Sequence, residues 1–331
     1  MNVIYASDNN FAEILGVSML SLLENNKECD EITVYILDDG INDDNKAKLT
    51  SIAESYNRQL IIKEIPNLHA LAGTEIHTND KWSLSTFSRL FLEKILPESV
   101  EKIIYIDCDM IVNDSLEEIY NLDMGDNLCA GVWDCMSDGN KKCIGLNGSN
   151  DYFNAGMLVI SLKNWRKAEI CNEFIKFIGS YDTLIPYVDQ GVINGVMAGR
   201  IMTLPFRYNC YTVAFDFTYK EMLTYRKPSK FYSEEEVEAA KANPAIIHFT
   251  TSFLSLRPWI EGCEHHYVNE WLKYKKMSPW ADTPLRKDNR SSKKKAFVKI
   301  FNILPRKMAV AIAGLLHSSI VPFIKKVKTG K

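Results

Sequence analysis

The sequence predicts an α/β protein built on a doubly wound, mostly parallel sheet flanked by helices, and three observations carry that prediction. Short apolar runs of strand character alternate with amphipathic helical periods from residue 2 to residue 65. Residues 102–112 (KIIYIDCDMIV) form an apolar run of the kind buried on both faces in parallel sheets. That run is interrupted by Asp107 and Asp109, and an unpaired buried carboxylate costs several kcal/mol, so both are expected where a strand emerges from the sheet. In open α/β sheets, ligand sites lie beyond the carboxyl ends of the strands.

Residues 2–7 read as the first strand. Asp8-Asn9-Asn10 can cap the next helix, in which Phe11, Ile14, Leu15, Met19, Leu22 and Leu23 recur on one face. A strand over 32–37, a helix over 43–56 and a strand over 59–65 complete the β-α-β-α-β alternation. Residues 83–96 read as a helix carrying Arg89. After the two aspartates come a helix over 115–120 and a strand over 128–133 closing on Asp134. Between Cys135 and Tyr152 lies a polar Gly- and Asn-rich loop, a type that often binds or covers ligands. A buried strand over 152–160 is headed by Asn154, Ala155 and Gly156, where Gly permits a close approach or an unusual dihedral. A helix over 165–178 leads to Asp189-Gln190, which opens a helix over 191–197. A strand over 200–204, an aromatic-rich stretch over 206–232 and a helix over 234–242 precede a short buried strand, 245–249, that contains His248. The loop after it closes on Arg257-Pro258-Trp259.

Composition narrows the function. Of 39 Lys+Arg, 13 fall after residue 285 beside a single acidic residue, leaving 26 basic against 41 acidic residues in the body. An acidic body argues against nucleic-acid binding, which needs clustered cations in a folded groove. The eight cysteines show no zinc-like spacing, and the first residues enter a strand with no basic-then-apolar leader, so a reducing, cytoplasmic setting is expected. Neither G-x-G-x-x-G after the first strand nor G-x-x-x-x-G-K-[ST] occurs, which argues against nicotinamide and Walker-type sites.

Taken singly, the polar residues have ordinary readings. Asp107 and Asp109 point to one side of an extended chain and suit a hard cation, or they end a strand in water. Arg89 suits an anion or a solvated helix face; Asn154 suits a ligand hydroxyl or a turn. Asp189 suits helix capping, and His248 a satisfied core histidine.

Together and in this order, Ala6-Ser7-Asp8, Arg89, Ile106-Asp107-Cys108-Asp109, Phe153-Asn154-Ala155-Gly156, Asp189-Gln190-Gly191, and His248-Phe249 with Arg257-Pro258-Trp259 resemble glycosyltransferase family 8 over residues 1–275. The resemblance implies a GT-A fold and retaining transfer of galactose or glucose from UDP-galactose or UDP-glucose to a surface glycan or glycolipid. It implies Mn2+ or Mg2+ held by Asp107, Asp109 and His248, with the imidazole favouring Mn2+. Asp8 would contact uridine, Arg89 and Asn154 the donor sugar and phosphates, and Asp189 and Asp134 the sugar hydroxyls. Ala6, Cys108 and Ala155 join the donor-binding set. Gln190 would face the reactive side of the donor; as an amide it is a poor nucleophile, which favours front-face attack, with Asp189 the competing nucleophile. The family's closing loop reads His-Phe-x-Gly-x-x-Lys-Pro-Trp, whereas here Thr251 replaces Gly, Arg257 replaces Lys and the loop is three residues longer. Arg257 would add positive charge at the donor phosphates.

Residues 276–331 read as a linker and a basic-apolar tail: Lys293-Lys294-Lys295, then a charge-free run over 308–324, then Lys325-Lys326-Val327-Lys328. This composition suits a helix lying on anionic lipid, giving a peripheral enzyme on the inner face of the membrane, or a helix docked on a partner surface. A metal-dependent nucleotidyltransferase would need a basic triphosphate clamp that the sequence lacks, and a non-catalytic sugar-nucleotide-binding or membrane scaffold would bind without turnover.

Overall fold

The computed structural model describes residues 1–72, 84–181, 185 and 187–324. Its strands are β1 (Asn2–Asp8), β2 (Thr33–Asp39), β3 (Gln59–Glu64), β4 (Lys102–Ile106), β5 (Met110–Val112), β6 (Cys129–Trp133), β7 (Phe153–Ser161), β8 (Ile201–Thr203), β9 (Cys210–Tyr211) and β10 (Ile246–His248). Seven of them form one sheet in the order β3-β2-β1-β4-β7-β6-β8. β3, β2, β1 and β4 run parallel, β7 is antiparallel to both β4 and β6, and β8 returns parallel to β6. All nine residues of β7 are buried, as a central strand covered on both faces requires. The helix Ala12–Asn25 is buried along nearly its whole length, because it packs on the sheet and is covered outside by Trp280 and the helix Val268–Met277.

The expected single strand over 102–112 is two strands in different sheets. β4 stays in the large sheet, while β5 joins a small one in the order β5-β10-β9. The break falls on Asp107, Cys108 and Asp109, since a carboxylate cannot stay in an apolar layer and the chain turns there instead.

Other boundaries also differ from the sequence expectation. The segment 83–96 is a 3-10 helix, Leu84–Phe91, followed by the short helix Leu92–Ile95; Ser83 lies outside the described residues. The polar loop after Cys135 contains a helix, Asp138–Lys142, whose Lys141 buries its stem and donates to the Asn150 carbonyl (2.8 Å) and the Ser229 hydroxyl (3.0 Å). The helix expected over 165–178 is two, Leu162–Ala168 and Ile170–Tyr181, separated by Glu169 in the left-handed region (φ 47°). The aromatic stretch folds into a 3-10 turn, β9 and the helices Val213–Asp216 and Tyr219–Arg226.

The chain remains in contact with the body past residue 275. Lys275 makes a buried ion pair with Glu13 (2.5 Å), Trp280 packs against Gly16, and Arg286 donates to the Asn10 carbonyl (2.6 Å). The helices Ser292–Ile303 and Arg306–Leu315 and the π-helical turn Leu316–Ile320 then lie along the body, with Phe301, Ala309, Val310, Ala313, Gly314 and Ser318 facing inward. Ile300, Ile303, Met308, Ile312, Leu315, Leu316, Ile320, Val321, Phe323 and Ile324 face outward, and the basic residues from 325 on lie outside the described residues. Residues 306–324 are long and apolar enough to cross a membrane by length and composition, but this stretch is 33% buried against the body.

Candidate functional site

β4 and β7 hold the first half of the site. The Asp107 N–H still donates to the Gly156 carbonyl (2.8 Å), so the chain leaves the sheet only after Asp107 has been set beside β7. The Phe249 N–H donates to the Asp109 carbonyl (2.9 Å), and His248 pairs with Met110 across β10 and β5. Leaving the large sheet for the small one therefore carries the second aspartate to the histidine. His248 Nε2 lies 3.2 Å from Asp109 Oδ1 and 3.9 Å from Asp107 Oδ2, and one ligand atom of each of the three residues lies within 4.8 Å of the others.

Two guanidiniums flank this cluster. Arg89, buried over the face of Tyr105 (4.0 Å), donates to Asp107 Oδ1 (2.7 Å) and to the Ala155 carbonyl (2.7 Å). Its Nε lies 2.9 Å from Asp189 Oδ2 as an ion pair without hydrogen-bond alignment. Burial opposes the Arg89 charge, but Asp107 and Asp189 outweigh it, so its pKa rises. Arg257 lies 3.2 Å from Asp109 Oδ2, donates to the Thr251 hydroxyl (2.6 Å) and leaves a buried Nε with no partner. Burial also disfavours the Asp109 charge, yet His248 and Arg257 bring its pKa below the ordinary carboxylate value. Asp189 behaves oppositely: burial pushes it up to about 6 despite Arg89, and Asp107 adds to the rise.

A second set of polar groups adjoins the first through Ala155 and Gly156. The Ala155 N–H donates to Gln190 Oε1 (3.1 Å), so the Gln190 amide must turn its nitrogen to Asp134 Oδ2 (2.9 Å). The Gly156 N–H donates to Asn154 Oδ1 (3.0 Å), which also accepts from Asn209 Nδ2 (2.9 Å). Asn209 Oδ1 then faces His248 Nδ1 at 2.9 Å and accepts its proton. Backbone donors thus fix both amides, and they leave His248 Nε2 facing the carboxylates as the ring atom that can take a proton or a cation.

That geometry tests whether a cation fits. A nitrogen lone pair 3.2 Å from a carboxylate oxygen is unfavourable unless a proton or cation stands between them. Three carboxylates, Asp107, Asp109 and Asp189, meet two guanidiniums, Arg89 and Arg257, which leaves excess negative charge. Two carboxylate oxygens and an imidazole with an oriented second nitrogen form a ligand set suited to Mn2+ or Mg2+.

The structure thus brings together Arg89, Asp107, Asp109, Asp189, His248 and Arg257, with Asp134, Asn154, Ala155 and Gln190 adjoining them. Cys108 turns its thiol away to the Ala6 carbonyl (3.2 Å), and burial raises its pKa, so its side chain does not join the ligand set. Asp8 caps the turn Asn9–Phe11, accepting from the Phe11 N–H (3.0 Å) at the end of β1. Asp189 is not the helix cap that its position suggested. Val188 holds that position at φ 51°, and Asp189 is the first residue of the helix Asp189–Val196, turned to Arg89. Asn209 had no functional reading in the sequence, and Thr251 entered only as the residue in place of the family's loop glycine; an Asn inside the aromatic-rich stretch 206–232 was the only signal for the former.

A family model described as glycosyl transferase family 8 matches residues 2–263. The chain belongs to glycosyltransferase family 8. It is 35% identical over 213 residues to a putative glycosyltransferase of Haemophilus influenzae, covering 63% of each chain. It is 26% identical to a lipopolysaccharide 1,2-glucosyltransferase of Escherichia coli, over 85% of this chain and 79% of that one. A crystal structure of an active-site mutant of LgtC matches it with TM-score 0.70 and 25% identity, covering 84% of this chain and 96% of the other. The fold is the GT-A fold of this family, and family membership makes the chain a glycosyltransferase.

Proposed function

We propose that this family 8 enzyme transfers glucose or galactose from a UDP-sugar to a cell-envelope glycan or glycolipid, with retention of configuration. Mn2+ or Mg2+ would be held by Asp107, Asp109 and His248. The observation that carries this reading is the convergence of those three ligand atoms beside Arg257, whose buried Nε is without a partner. The cation would supply Lewis-acid neutralisation of the charge that develops on departing UDP.

The chain's own residues do the rest. Arg257 Nε offers an N–H to a donor phosphate oxygen. Arg89 acts indirectly, holding Asp107 and Asp189 in place while all three of its nitrogens face protein groups. Asp134 and Asn154 line the second polar set and suit sugar hydroxyls. Gln190 is held by the Ala155 N–H and by Asp134, so it presents a fixed amide to the sugar. Asp189, buried and paired with Arg89, is a weakened nucleophile, which favours attack from the face that UDP leaves.

The lipopolysaccharide glucosyltransferase among the relatives supports an envelope acceptor. The apolar outer face of residues 300–324, preceded by exposed Lys293, Lys294, Lys295 and Lys299, supports a tail lying on the inner membrane surface with the catalytic body docked to it. The deciding experiment is UDP release from a panel of UDP-sugars with and without Mn2+, for the wild type beside Asp109→Asn. Metal-dependent turnover of one UDP-hexose, lost in the variant, supports the reading; Mn2+-independent turnover, or an active Asp109→Asn, refutes the metal assignment.

A further inference from the structure

The loop that carries Arg257 is tied to the C-terminal helices rather than left free over the site. Its three additional residues relative to the family pattern make room for Phe253, whose ring meets Phe297 and Phe301 of the helix Ser292–Ile303 at 5.2 Å each. The same ring lies 5.7 Å from Tyr225 and 6.3 Å from Phe217, so four aromatic rings surround it. Arg290, just before that helix, donates to the Phe253 carbonyl (3.2 Å). On either side of Phe253, the hydroxyls of Ser252 and Ser255 both donate to the Asp216 carboxylate. Arg306 from the second tail helix donates to the Asp216 carbonyl (2.9 Å), and its guanidinium lies over Phe217 (5.1 Å) and Phe301 (5.2 Å). The loop is therefore held from two sides, by Asp216, Phe217 and Tyr225 of the body and by Arg290, Phe297 and Phe301 of the tail, while its two ends bear on the site: Phe249 on the Asp109 carbonyl and Arg257 on the Asp109 carboxylate.

We propose that Phe253 is a positioning residue for Arg257, and that Phe297 and Phe301 of the tail form the socket that holds it. The extra loop length and the tail are then one device. A shorter loop would reach the Arg-Pro-Trp turn directly; here the chain detours into the aromatic socket and returns with Arg257 set between Thr251 and Asp109. Arg has a longer and more rotatable reach than a compact loop needs, and ordering it beforehand lowers the entropy lost when it meets a phosphate. This inference rests on the proposed role of Arg257 at the donor phosphates.

The test uses the full chain with Phe253→Ala, Phe301→Ala and Arg257→Ala, singly and as the two doubles with Arg257→Ala. Two readouts are taken: deuterium exchange of residues 250–257, and Mn2+-dependent UDP release from the preferred UDP-hexose. Loss of the aromatic contacts is expected to speed exchange in 250–257 while 102–106 keeps its protection, and to lower kcat/KM about three- to tenfold. In the Arg257→Ala background, neither Phe substitution should lower kcat/KM further. Folded Phe variants with unchanged loop exchange, or losses that multiply fully with that of Arg257→Ala, would overturn the proposal. If Phe301→Ala does not fold, Phe253→Ala alone decides, since it removes only the loop's side of the contact. A wild type without turnover would refute the transfer reading, while loop exchange would still judge the tether.

Discussion

Adding one methyl group at Gly156 should weaken metal binding while the chain still folds. A Cβ there would lie 2.4 Å from His248 Cε1, 2.7 Å from the Met110 terminal methyl and 3.0 Å from Asn154 Oδ1. Ordinary carbon contacts begin at about 3.5 Å, so something must retreat by roughly 1 Å. The Met110 methyl can swing aside. His248 has little freedom: its backbone is paired between β5 and β9, and its Nδ1 is held by Asn209. Overpacking of this kind costs about 1–3 kcal/mol, which lowers Tm by about 2 °C per kcal/mol in a large domain. Metal–ligand distances tolerate only about 0.2 Å, so displacing Nε2 by several times that should cost Mn2+ affinity at least as much as losing a supporting contact, about 10- to 100-fold. Calorimetric titration of Mn2+ into UDP-saturated Gly156→Ala, beside a thermal melt, measures both effects. A variant that binds Mn2+ within twofold of the wild type would refute the argument, and with it the assignment of His248 as a ligand.

Asn209→Leu removes the acceptor for His248 Nδ1–H and the donor to Asn154; Mn2+ affinity should fall about tenfold or more, and nitrogen NMR of the apo protein at alkaline pH should show the proton shifted to Nε2. His265 is buried, and this burial, with His266 beside it, lowers its pKa from 6.5 to about 4. A depressed folded-state value means that the stability it confers is complete above pH 6.5 and is lost as pH falls through about 4, a change of about 3 kcal/mol; in melts across that window, His265→Gln should lose clearly less stability than the wild type. A Cβ at Gly314 would lie 2.5 Å from the Thr224 carbonyl oxygen, so Gly314→Val should lift the second tail helix from the helix Tyr219–Arg226 and make residues 306–320 more susceptible to limited proteolysis, with the core melt little changed.

Much of the candidate site was legible in order along the chain. Asp107, Asp109, Asn154, Asp189, Gln190 and His248 each interrupt an apolar run or open a helix, and a polar group in such a place needs a reason that sequence alone can pose. Arg89 was legible as a cation near the site but not as the clamp on two carboxylates, because its partners lie 18 and 100 residues away. The aromatic stretch 206–232 carried neither helical nor alternating periodicity, since its rings pack in several directions at once, and that is where Asn209 was hidden.

The sequence by itself determined the alternation of strands and helices, the strand-end position of the two aspartates and the amphipathic character of the tail, because each is a local pattern of side chains against backbone period. Only the tertiary structure decided that residues 102–112 divide between two sheets, that Asn209 orients His248, and that the tail docks on the body and grips the Arg257 loop. These depend on which apolar faces and unpaired donors meet across long stretches of chain. Any apolar helix face can be buried against any complementary one, so the local pattern could require a partner for the tail without naming it.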